Sequence, residues 1–96
     1  QLDLGGARVT DLRALAGLEE LEILSVNQNA IDDISFLSGL GFVQQLNLRD
    51  NKLSDMSVLL DMGSLTDVWL EENPRDAKTN DTVIPTLVDK GVFVRF

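Results

Sequence analysis

The chain contains neither histidine nor cysteine. The usual acid–base residue, thiol nucleophiles, disulfides and soft metal ligands are therefore missing, and any chemistry must come from carboxylates. Two sets are candidates. Asp50, Asp67, Glu71 and Glu72 form the densest acidic group, and a pair of carboxylates is the machinery of glycoside hydrolysis. That reaction requires one carboxyl desolvated enough to remain protonated, which an open surface without a pocket-forming insertion does not supply. Asp11, Asp33 and Asp55 recur at a spacing of twenty-two residues, a regular column that could attract a hard cation. One carboxylate per turn of structure, without companion oxygens, is a poor cage for such an ion. The sequence is thus read as non-catalytic, with no cofactor and no metal.

Trp69, the single tryptophan, and Phe93 are the other residues of note, because large aromatics left on a surface anchor protein partners. What positions them depends on the whole chain. Ninety-six residues make one domain at most. An apolar fraction of 44% suits a folding chain, and 25% charged residues leave no run apolar enough to span a membrane. The net charge of -8 repels phosphate, which argues against nucleic acid and anionic lipid and favours a basic protein partner. Without disulfides, a globule this small would be marginally stable, so its order must have another source.

That source is a repeat. Leu2, Leu24, Leu46 and Val68 lie twenty-two residues apart, and Leu4, Val26, Leu48 and Leu70 keep the same register two positions later. Asn29, Asn51 and Asn73 follow, then Val9, Ile31 and Leu53, then the Asp column. Leu12, Ile34 and Met56, then Leu15, Leu37 and Leu59, then Leu18, Leu40 and Met62 close each cycle at spacings of three. Within one cycle the apolar period changes from two to three, which predicts a short strand followed by a tight 3₁₀ or α turn.

Leu21 through Ile31 and Val43 through Leu53 fit the leucine-rich repeat at every fixed position, and the chain resembles that family over essentially its whole length. The twenty-two-residue period and the Asn-x-Ile/Leu-x-Asp-Ile/Met continuation resemble the subclass of bacterial internalins, and also a eukaryotic protein phosphatase regulator. The resemblance implies an α/β solenoid with a parallel concave β-sheet and short 3₁₀ or α turns on the convex side. Its repeats span about 1–18, 19–40, 41–62 and 63–78, with a capping helix and strand over 79–96. Stacked coils share one core that no single coil could bury. Asn29, Asn51 and Asn73 are expected to turn inward and satisfy backbone groups at the bend, forming an asparagine ladder. Asp11, Asp33 and Asp55 are expected at the N-cap of each turn.

The ends depart from the repeat. After Asn73-Pro74 the segment to Asp81 reads as a polar loop, with Arg75 where Ile belongs. Thr82 through Lys90 then reads as a closing helix with Pro85 near its start and Gly91 after its end. Val92 to Phe96 alternates as a last strand, Val92 and Val94 inward and Phe93 and Arg95 outward. This ending resembles that of bacterial leucine-rich repeat proteins, which favours a secreted or cell-surface bacterial protein over a cytoplasmic one and disfavours the phosphatase regulator. Gln1 enters midway through a repeat and Ala7 replaces the first Asn. The chain is accordingly expected to be the C-terminal piece of a longer array, its uncapped first coil open to self-association.

On the concave sheet the outward residues are free for recognition. Alignment by the repeat puts Asp3, Ser25, Asn47, Trp69 and Phe93 in one column and Gly5, Asn27, Arg49, Glu71 and Arg95 in the next, Asp67 and Glu72 flanking them. Trp69, Phe93, Arg49, Glu71, Arg95, Asn47, Asp67 and Glu72 are the candidate partner-binding residues. The plainer alternatives are that Trp69 and Phe93 cover each other and close the end of the sheet, and that Arg49, Glu71 and Arg95 merely pair across strands. The function expected is protein recognition through the concave face; the alternative is an architectural spacer or capping segment within a larger enzyme or adhesin.

Overall fold

The computed structural model describes residues 1–8 and 12–96, so the expectations for Val9 and Asp11 lie outside the described residues. Five strands, β1 (Leu2–Asp3), β2 (Ile23–Ser25), β3 (Gln45–Asn47), β4 (Asp67–Trp69) and β5 (Phe93–Arg95), form one parallel sheet in sequence order. Leu24 pairs with Leu2 and Leu46, and Leu46 with Val68, so a shift of one repeat is a step of one strand. Each strand is short because the chain must bend away after the inward Val26, Leu48 or Leu70, all fully buried.

Among the described residues, the convex side carries three five-residue 3₁₀ helices, Arg13–Gly17, Ser35–Gly39 and Ser57–Asp61. Their geometry follows from the apolar spacing. At three residues per turn, residues three apart stand on one face, and Ile34, Leu37 and Leu40 are all buried against the strand leucines. The Leu37 N–H donates to Ile34 and that of Leu40 to Leu37, at 3.0 and 2.9 Å. In the first coil, which stacks on one side only, Leu2, Leu4 and Leu15 are half-buried and Leu18 is exposed.

The closing segment differs from the expected loop and helix. A π-helical turn over Thr79–Val83 runs directly into α1 (Ile84–Asp89); Pro85 stands near the start of α1 as expected, but it follows helical residues and not a loop. Proline has no N–H to donate and its ring crowds the preceding turn, and the turn ahead of it is the wider π form. Val83, Ile84 and Leu87 cover the last coil, and Gly91 at φ +88° lets the chain turn back into β5. Val92 is buried and Val94 half-buried, with Phe93 and Arg95 exposed, as the alternation implies. Among the described residues, no helix is long and apolar enough to cross a membrane.

Candidate functional site

The sheet delivers its outward side chains at fixed intervals, so the site can be assembled strand by strand. At the exit of each strand the backbone enters the left-handed region, at Gly6, Gln28, Asp50 and Glu72. For the non-glycine residues this is unfavourable. It is offset where the same N–H groups continue the sheet: Gly6 to Asn27, Gln28 to Arg49 and Asp50 to Glu71, each at 2.9 Å. The reversal swings the following asparagine towards the core. The Asn51 side-chain amide donates to the carbonyls of Leu48 at 2.9 Å and Val26 at 3.1 Å, and its Oδ1 accepts the Ile31 N–H at 3.2 Å. Asn73 repeats this one coil on, donating to Leu48 and Leu70 and accepting from Leu53. Asn29 donates to Leu4 and Val26.

Asp33 and Asp55 stand one position before the N-cap, which is Ile34 or Met56, and so are not themselves the caps. Each still accepts the N–H of the first helical residue, Ser35 or Ser57, at 2.9 Å. A carboxylate reaching two residues ahead forms an Asx turn, which sets the entry angle of the helix. The Ser57 N–H and then its hydroxyl hold the Asp55 carboxyl below its ordinary pKa, with a further contribution from the Lys78 charge opposed by slight burial. Asp33 and Asp55 line a convex depression together with Asp32, Ile34, Ser35, Ser57 and Val58. No group of three or more carboxylates among the described residues is arranged to hold a metal ion.

The repeat alignment misplaces β5 by two residues. Phe93 pairs with Asp67 and Arg95 with Trp69, so Phe93 is not in the tryptophan column and Arg95 is not in that of Arg49 and Glu71. The expected alternation of charge along Arg49, Glu71 and Arg95 is lost with that slip. Instead the Arg95 guanidinium carbon lies over both rings, 5.3 Å from the Trp69 centroid and 4.7 Å from that of Phe93. This is cation–π range. Trp69 is half-buried and Phe93 is 55% exposed.

Asn47 is in register with Trp69, and its Oδ1 accepts the Arg49 N–H at 3.1 Å. With Ile23, Leu24, Ser25 and Gln45 these two residues line a shallow depression of 160 Å³ on the concave face. Asp67 is half-buried and accepts the Thr66 hydroxyl; Arg49 and Glu72 are exposed. Glu71 is half-buried, and its Oε1 is shielded from solvent without a hydrogen-bond partner. Tryptophan, arginine and phenylalanine therefore form one contact cluster, while Arg49, Glu71 and Glu72 lie beside it.

One buried tie in the closing segment escapes a reading of the repeat. Thr79, fully buried, accepts the Met56 N–H and donates to the Ser54 carbonyl. It lies where the pattern has already lapsed, so no column marks it.

Neither a protein-family model nor a curated protein sequence matches the chain. Solved structures do. An internalin of Listeria monocytogenes (inlF) superposes with a TM-score of 0.83 at 31% identity, covering 93% of this chain and 25% of that one. Internalin C2 of the same organism gives 0.63 at 29% identity, covering 100% of this chain and 50% of the other. A leucine-rich repeat protein of Leptospira interrogans gives 0.76 at 21% identity, over 92% and 22% of the respective chains, and shows the shared fold. The chain thus spans a quarter to a half of the two internalins.

Proposed function

We propose that this chain, a bacterial internalin-like leucine-rich repeat and hence a protein-interaction module, takes its protein partner on the concave sheet face. One observation carries the reading. Half-buried Trp69 opens onto a depression whose other lining residues, Ile23, Leu24, Ser25, Gln45 and Asn47, are all uncharged, in a chain of net charge -8. A depression lined without charge beside an aromatic anchor is the composition of an interface centre, with charged groups, Arg95 over the Trp69 ring among them, left to its rim. Asp67, Glu71 and Glu72 supply that rim and attract a partner with basic residues.

The architectural alternative has its own support, since Arg95 over two rings could serve only to finish the sheet. Affinity for a protein partner captured with this chain separates the two. Trp69→Ala weakens it at least about thirtyfold, corresponding to the 2 kcal/mol or more expected of a central tryptophan. Glu72→Lys slows association at low salt, and exposed Glu19→Ala does neither. Unchanged affinity combined with a lower unfolding midpoint for Trp69→Ala identifies the cluster as an end cap.

A further inference from the structure

Resting on the concave-face reading, we propose that Arg95 is the receptor for a carboxylate of the protein partner. The chain has twice as many acidic as basic residues, sixteen against eight, yet Arg95 is held by aromatic rings and not by a carboxylate. Its guanidinium contacts among the described residues are the two ring faces, and it makes no hydrogen bond or ion pair there. Asp67 is in register with neighbouring Phe93, yet its recorded side-chain bond is to Thr66.

The mode of holding matters. A cation–π contact is an electrostatic attraction to the ring and does not need a hydrogen bond, and the guanidinium carries its five N–H donors in a planar fork. The rings hold Arg95 in place while none of its N–H groups hydrogen-bonds to the described residues. Bidentate pairing with a carboxylate needs this planar fork, and a side chain already held in place loses less rotamer freedom on binding. The cluster adjoins the uncharged depression through Trp69, so an apolar residue of the partner and a nearby carboxylate can engage together. The acidic rim of Asp67, Glu71 and Glu72 requires that this carboxylate be accompanied by basic residues. The partner segment is thus of mixed charge, with one acidic group aimed at Arg95.

A displayed library of random linear peptides, selected on the wild-type chain and counter-selected on Trp69→Ala, provides the probe. Selected peptides are expected to share an Asp or Glu. Its replacement by Asn or Gln weakens binding to wild type about tenfold or more, as close charge pairs across interfaces do, and costs nothing further on Arg95→Gln. Arg95→Lys, which keeps the charge but not the planar fork, recovers only part of the loss. Lys90→Gln, beyond the end of α1, binds as wild type. Should Arg95→Gln fail to fold, the peptide-side substitutions and Arg95→Lys still decide the matter. Peptides that depend on Trp69 but tolerate neutralisation of every carboxylate overturn the role of Arg95 alone. If no peptide that binds the wild-type chain survives counter-selection on Trp69→Ala, the concave-face reading falls and this inference with it.

Discussion

The Thr79 hydroxyl accepts the Met56 backbone N–H at 3.1 Å and gives its own proton to the Ser54 carbonyl at 2.9 Å, joining the closing helix to the third coil. With Thr79 fully buried, water cannot replace either bond. Thr79→Val is nearly isosteric and removes both bonds at once while their partners stay in place, so it should cost about 1–3 kcal/mol through the buried groups left unpaired. Thr79→Ser, which keeps the hydroxyl, should lose less. Urea unfolding measures this, and a valine variant as stable as wild type would show that the hydroxyl does not fasten the cap.

Asn51 serves two coils, accepting from Ile31 and donating to Val26 and Leu48. Asn51→Ala should lower stability by about 1–3 kcal/mol. Asn47→Ala removes an exposed bond to the Arg49 N–H, which water can replace, and should cost less. Equal denaturation midpoints for the two variants would contradict a stabilising asparagine column.

Asp55 gives the fold a pH dependence of definite sign. Its carboxyl is held below its ordinary pKa chiefly by the Ser57 N–H, then by the Ser57 hydroxyl. A depressed folded-state pKa contributes stability that is complete above the unfolded value of about 3.9 and lost as pH falls through the lower folded one. Asp55→Asn keeps an acceptor but does not titrate. The gap in thermal midpoint between wild type and variant should therefore be constant near neutrality and close in the acid range. A gap unchanged down to about pH 2 would remove Asp55 from the acid response.

Much of this architecture is legible in the sequence because a solenoid repeats its local physics. Leu24, Leu46 and Val68 recur at one interval and meet in register across adjacent parallel strands, since equal numbers of residues separate them. Spacings of three at Ile34, Leu37 and Leu40 match the three-residue turn that buries them. Alternation likewise assigns Phe93 and Arg95 to the outward face.

The closing segment resists the same reading, because its length is not that of a repeat. Alternation fixes the face of a strand but is blind to a slip of two residues, which leaves every side chain on its proper side. The number of residues taken up by the π turn and α1 decides that slip, and it sets Arg95, not Phe93, beside Trp69. Thr79 was hidden for a related reason, its partners lying more than twenty residues away in a coil that only stacking brings near. The sequence by itself determined the coil, its core and the side chains that point outward from the sheet, all consequences of local periodicity. Only the tertiary structure decided which outward residues touch, because that depends on how an irregular helix returns the chain to the edge of the sheet.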